Sequence, residues 1–259
     1  MTLNWAALDP TLLLWPLAAG MLVLATHVPL GRRVLARGII FLDLAVAQLA
    51  VLGVLLAHTL GWETEGWQTQ LAAAGAALVG AGFLAWCEQR WPDIQEALIG
   101  STFVVAASLA VLMLSGDPHG GEHLSELLSG QILWVDSAQI IQLALLYAVL
   151  MTAWVVLRER IGRTGFYLIF ASAITASVQL VGVYLVFASL IMPALAVRRL
   201  SGTRAQLLGI GLGTLAYGAG LTLSALGDLP AGPGIVVALA LMALLAGNML
   251  FPAAGTSRP

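Results

Sequence analysis

The sequence predicts an all-α, polytopic transmembrane helical bundle, and three observations carry the prediction. Apolar runs long enough to cross a bilayer recur along the chain, near 11–30, 39–60, 71–87, 97–114, 139–157, 205–226 and 234–252, besides a central apolar stretch from Gly165 to Gly202. Hydrophobic residues make up 60% of the chain and charged residues only 9%, with a mean hydropathy of +0.95, which excludes an ordinary soluble domain. The positive charge is all arginine and falls at five places: Arg32, Arg33 and Arg37; Arg90; Arg158, Arg160 and Arg163; Arg198, Arg199 and Arg204; and Arg258. The loops between them hold Asp9, Glu63, Glu65, Asp117, Glu122, Glu126, Asp136 and Asp228 and no arginine. Cytoplasmic loops collect arginine, so the five sites lie inside and the N-terminus outside.

Taken in order, Thr11 to Leu30 reads as an uncleaved first span, because no basic residue precedes Arg32 as it would in a secretory leader. The second and third runs follow as spans, and the third contains the single cysteine, Cys87, which rules out an internal disulfide or a cysteine-built metal site. No fixed-period repeat or low-complexity linker divides the chain, so residues 1–259 form one transmembrane domain. The central stretch poses a length problem. Arg163 and Arg198 both belong inside, yet the 34 residues 164–197 must go out and back, and two full spans need about 40. Gly182 and Pro193 are the places for an interruption, which lipid tolerates only where protein or a wet cavity satisfies the freed backbone. Eight or nine spans result, with short or broken helices around 165–197.

Three groups of residues carry chemistry. Ser172, Thr175, Gln179, Gly182, Ser189 and Pro193 recur through the central stretch at helical spacing, a stripe that faces either a transport pathway or a closely packed neighbour helix. In the second span, Asp43 and Gln48 lie inside the arginines, and His27 in the first span stands a similar distance before Arg32. That spacing lets His27 and Asp43 meet as a divalent-cation site or as a structural pair. In the outer loop, His119 and His123 are four apart beside Asp117, Glu122 and Glu126, a donor mixture suited to zinc or manganese, or simply a solvated loop. There is no GxxxxGK[ST] phosphate loop, no HExxH and no GxSxG, so the chain shows no sign of hydrolysing ATP or peptides itself.

Four segments, RRVLARGIIFLDLAVAQLAVLG, LLSGQILWV, SVQLVGVYLVFASLIMPALAVR and DLPAGPGIVV, together spanning Gly31 to Val237, resemble the permease subunits of bacterial ABC importers for zinc, manganese and iron. The resemblance implies a homodimeric, multi-pass permease of the bacterial inner (plasma) membrane. It implies a separate ATPase subunit, an extracytoplasmic metal-binding protein, and a transported divalent ion in place of any resident cofactor. Many members carry an Asp and a His four apart in the second span, ahead of a glycine that corresponds to Gly53. Here the His position is Gln48 and the Asp position is Leu44, with Asp43 one residue earlier, so the ligand pair is not reproduced. The site is then expected to draw on Asp43, His27, Gln48 or the outer histidines. The loop implied to contact the ATPase is reduced to Arg158, Glu159, Arg160, Ile161 and Gly162, with Arg158, Glu159 and Gly162 as its contact residues.

Two other classes stay open at this point. A vitamin or siderophore importer permease needs a larger cavity and no metal ligands, and the binding protein that accompanies the ATPase discriminates it. A non-transport membrane protein is the second, against which stand the missing catalytic constellation and the presence of Gln179 and Pro193 within one apolar segment.

Overall fold

The structure is a computed structural model that describes residues 10–63, 66–115, 119–156, 162–227 and 229–250, with the backbone alone at 10–12, 123 and 247–250. Among the described residues the chain is helical with no strand: α1 (Pro10–Arg37), α2 (Leu42–Thr59), α3 (Trp67–Arg90), α4 (Gln95–Leu114), α5 (Gly120–Ser129), α6 (Ser137–Val156), α7 (Arg163–Val181), α8 (Val183–Ala196), α9 (Gly202–Gly227) and α10 (Ala231–Leu250). Seven of these are long and apolar enough to cross a membrane, α8 and α10 are shorter apolar helices, and α5 is the only short polar one. Nine apolar helices agree with the eight or nine spans read from the sequence.

Contacts between the helix ends show that the arginines gather at one end of the bundle. Arg32 donates to the carbonyls of Gly202 (3.2 Å) and Leu200 (3.4 Å), and the Phe41 N–H donates to Glu96. Arg163 stands 4.0 Å from Glu88, and the Arg37 guanidinium covers the Phe166 ring at 4.4 Å. At the opposite end lie α5, the 3₁₀ turn Ile132–Trp134, and the α7–α8 and α9–α10 junctions. The order of helix ends matches the arginine-based topology.

Helix α2 is the core of one half. It packs against α3, α4 and α7 and buries Ala45, Val46, Ala47, Ala50, Val51 and Gly53. Gly53 lets α3 approach closely, since a Cβ there would sit 2.7 Å from the Ala73 Cα. Helices α1, α8, α9 and α10 form the other half, with Gly213 against Leu24 and Gly220 against Ile235 holding the backbones close. Small residues set these distances because lipid offers no hydrophobic push between helices and association rests on close packing.

The length problem of the central stretch resolves at Gly182. Helix α7 closes with the Gly182 N–H donating to the Val178 carbonyl (2.9 Å), and α8 opens with the Val186 N–H donating to the Gly182 carbonyl (3.1 Å). Gly182 itself adopts φ +80° with ψ 161°, a positive-φ extended conformation essentially confined to glycine. Helix α8 then has 14 residues, about 21 Å, which is short of a full span. Pro193, the other expected break, lies inside α8 without ending it. The carbonyl that its missing N–H leaves free belongs to Ser189, whose hydroxyl turns back to the Leu185 carbonyl at 2.6 Å.

Candidate functional site

The α7–α8 break is held by backbone rather than side chains. Gly130, just past α5, has φ +71° and abuts Val181 and Gly182, so a Cβ on Gly182 would lie 2.6 Å from the Ser129 carbonyl carbon and 2.7 Å from the Gly130 Cα. Gly232, at the start of α10, approaches the Ser129 carbonyl from the other side. Within the outer segment 129–134, Ile132 is 1% exposed while Trp134 is 82% exposed, and the Ser129–Gly130 backbone caps the α7–α8 junction. This backbone wedge is how protein, rather than water, takes up part of the broken helix.

Asp43 is fully buried in the first turn of α2, and neither carboxylate oxygen has a hydrogen-bond partner. Gln48 (4% exposed) leaves its amide oxygen unpartnered, and Thr175 on α7 (4% exposed) leaves its hydroxyl oxygen unpartnered. Burying an acid without a hydrogen-bond partner is costly, and Asp43 stands out among the described side chains because both of its oxygens are left unsatisfied. Gln48 follows it by five residues, about 7.5 Å along the axis and some 140° around it, so the two do not share a face of α2.

The expected meeting of His27 with Asp43 does not occur. His27 Nδ1 pairs with the Thr26 hydroxyl (2.9 Å) and Nε2 with the Ser177 hydroxyl (3.1 Å), while Tyr147 also hydrogen-bonds Ser177. The Ser177 hydroxyl donates in turn to the Ala173 carbonyl at 2.7 Å. The reason is depth. Residues 38–41 form a turn, opened by Gly38 at φ +72°, instead of helix, so Asp43 sits at the very start of α2. His27 lies ten residues before the end of α1, about 15 Å deeper. His27, Ser177 and Tyr147 thus form a satisfied polar lock joining α1, α7 and α6 at mid-depth.

The outer histidines part company as well. His119 is exposed at the start of α5, and the side chain of His123 lies outside the described residues, as does Asp117. Gly121, Glu122, Ser125, Glu126 and Ser129 line a shallow open depression on α5, where Glu126 accepts from the Gln131 amide. Among the described residues no three His, Cys, Asp or Glu side chains converge on one point in the way that holds a metal ion.

With this geometry in hand, comparison with known proteins is decisive at the level of family. The model of the ABC 3 transport family matches residues 10–166 and 157–250, nearly the whole described chain. The chain belongs to the ABC 3 transport family. The permease is thus a multi-pass, inner-membrane transport subunit. Among solved structures, it is similar to PsaBC from Streptococcus pneumoniae, solved in complex with Fab, at a TM-score of 0.71 and 19% identity over 91% of this chain and 90% of that one. It is also similar to a metal-chelate type ABC transporter in an inward-facing conformation, at a TM-score of 0.57 and 14% identity over 91% of this chain and 76% of that one. Both likenesses are likenesses of fold.

The permease splits the predicted stripe. Ser172 is half-buried and bonds the Leu168 carbonyl (2.9 Å), Thr175 is buried without a partner, Gln179 is half-buried, and Gly182 forms the break. Ser189 is buried against the Tyr217 hydroxyl (2.8 Å), and Pro193 is buried near Gly209. On α8 the stripe is packing between helices, whereas on α7 it retains an unsatisfied oxygen. Of the loop expected to meet the ATPase, Arg158 and Glu159 lie outside the described residues, and Gly162 is exposed just before α7. Sequence reasoning missed Ser177, Tyr147 and Tyr217. A tyrosine within a membrane helix must find a partner for its hydroxyl, and that was the signal that pointed to them.

Proposed function

We propose that the chain is the membrane-spanning permease of an ABC importer that carries a divalent metal cation, zinc foremost, with manganese and iron compatible with the same oxygen and nitrogen donors. It works as a homodimer with a separate ATPase subunit docked at its arginine-bearing end and an extracytoplasmic binding protein at the other. The observation that carries this reading is Asp43, a fully buried carboxylate with no partner on either oxygen. A passing cation offsets the desolvation of such a group, and neither His27 nor any other described side chain does so. Membership of the ABC 3 transport family and the likeness to PsaBC support the same reading.

The fold likeness to the metal-chelate type transporter favours a second reading, in which the cargo is a metal chelate. The test is reconstitution of permease, ATPase and binding protein in proteoliposomes with ATP inside. Uptake of free zinc or manganese in excess over a ferric chelate supports the first reading, and the reverse ranking selects the second.

A further inference from the structure

The first residues of α7 gather the arginine-bearing ends of three other helices. Tyr167 is fully buried; it accepts from the Gln95 amide at the start of α4, and the Glu88 carboxylate at the end of α3 lies beside its hydroxyl. Phe166, one residue earlier, is covered at 4.4 Å by the guanidinium of Arg37, the last residue of α1. The Arg37 charge reaches the Tyr167 hydroxyl as well. Arg163, which opens α7, stands 4.0 Å from Glu88. An acid from α3 and a base from α1 therefore meet at one tyrosine of α7.

Neither of the two is satisfied there. Glu88 Oε2 and Arg37 Nη1 are both buried, and each lacks a hydrogen-bond partner. The contact Glu88 makes with Arg163 is a weak substitute, because 4.0 Å is the outer limit for an ion pair and the Arg163 side chain is 58% exposed against 12% for Glu88. A pair with so exposed a member contributes about 1 kcal/mol at most. A buried charge without a partner is far more costly than a surface pair is favourable, so the better partner for each of Arg37 and Glu88 is the other. Two other acids of this half are less suited. Glu96 also has a buried, unpartnered Oε2, but its other oxygen is tied to the Phe41 N–H, and no charged side chain acts on Asp43.

We propose that Arg37 and Glu88 are the two halves of a cytoplasmic latch, open in this conformation, that closes by pairing at the start of α7 during transport. Its place in the chain says what drives it. The segment 157–162 leads directly into Arg163, at the end of the bundle where the proposed ATPase docks. A push on that segment moves the first turn of α7, and with it the Phe166 and Tyr167 rings against which Arg37 and Glu88 rest. Arg37 and Glu88 are then positioning residues that touch no cargo and join α1 to α3 in step with ATP hydrolysis. The latch rests on the reading of the chain as an ATPase-driven permease, and not on which cargo it carries.

The test reconstitutes permease, ATPase and binding protein in proteoliposomes and measures uptake and ATP hydrolysis together, as zinc or manganese ions carried per ATP and per folded permease. Arg37→Gln and Glu88→Gln should each lower that ratio about tenfold while hydrolysis continues, and the double variant should be no worse than either, as residues in direct contact depart from additivity by about that much. Arg37→Lys should keep most of the ratio, the exchange of Arg37→Glu with Glu88→Arg should recover most of it, and Glu96→Gln should leave it unchanged. Losses that multiply in the double variant would show two independent roles and overturn the latch. Arg37→Lys as damaging as Arg37→Gln would reduce Arg37 to its place on Phe166, and Glu96→Gln matching Arg37→Gln would name the wrong acid; either result refutes the pairing. A fall in folded yield with an unchanged ratio would make the two residues structural and refute it as well. A parent that carries a ferric chelate and no free ion overturns the metal reading alone, and the same ratio taken with the chelate then decides the latch.

Discussion

Replacing Gly182 with alanine tests the close backbone approach at the α7–α8 junction. Two costs add. The positive-φ extended conformation at φ +80° and ψ 161° costs an L-residue about 1–3 kcal/mol, and the new Cβ would lie 2.6 Å from the Ser129 carbonyl carbon, a backbone clash that forces displacement at about 1–3 kcal/mol. Gly61 is the comparison without a clash, because it has φ +76° but nothing within 4 Å of its Cβ position, so Gly61→Ala should cost a positive-φ penalty of about 1–2 kcal/mol and nothing for packing. At about 2 °C per kcal/mol for a chain of this size, Gly182→Ala should lower the unfolding midpoint by about 4–12 °C and Gly61→Ala by about 2–4 °C. The permease carries its own reporter in Cys87, its only cysteine, which is 1% exposed and becomes labelled by a thiol-reactive dye only on unfolding. Equal shifts for the two variants would refute the close approach of 129–130 to the helix break. Gly130→Ala should behave like Gly182→Ala, because it meets the same contact from the other side.

Further outcomes follow from other parts of the structure. Ser177→Ala strands the His27 Nε2 and the Tyr147 hydroxyl in the bundle interior and should cost about 2–4 kcal/mol by the same dye assay, whereas Tyr147→Phe leaves the His27–Ser177 bond and should cost about 1 kcal/mol. A cysteine at position 121, in a variant lacking Cys87, should react with a membrane-impermeant thiol reagent added outside, and one at position 162 should not; the opposite pattern would invert the topology. The purified chain alone should show no ATP hydrolysis, and turnover at a transporter's rate would contradict its role as a subunit driven from elsewhere.

Much of the fold was legible because its signals are one-dimensional. Span length follows from apolar runs, the alternation of ends from arginine position, and the interruption near Gly182 from the shortage of residues between Arg163 and Arg198. The choice between Gly182 and Pro193 was not legible, since it rests on Gly130 standing 52 positions earlier in the chain and filling the gap at the first site. The His27–Asp43 pairing failed on the four-residue turn 38–41, which counts as helix in any run of apolar residues but costs Asp43 its expected depth. The lock that His27 forms instead joins residues 150 apart, and spacing within one helix carries no trace of it. Asp43 as an isolated intramembrane acid was legible directly, and its lack of partners became visible only once its surroundings were known.

The most direct test of the account is metal uptake by Asp43→Asn, measured in proteoliposomes with ATPase and binding protein and normalised to folded permease. Asparagine keeps the volume of the side chain and removes the charge that a passing cation would meet, and Asp43 makes no hydrogen bond that the change would break. The account predicts an unfolding midpoint at or slightly above that of the parent, because a buried acid without a partner has been removed, together with loss of zinc and manganese uptake by tenfold or more, about 1.4 kcal/mol. Uptake at the parental rate by a folded Asp43→Asn permease would contradict it.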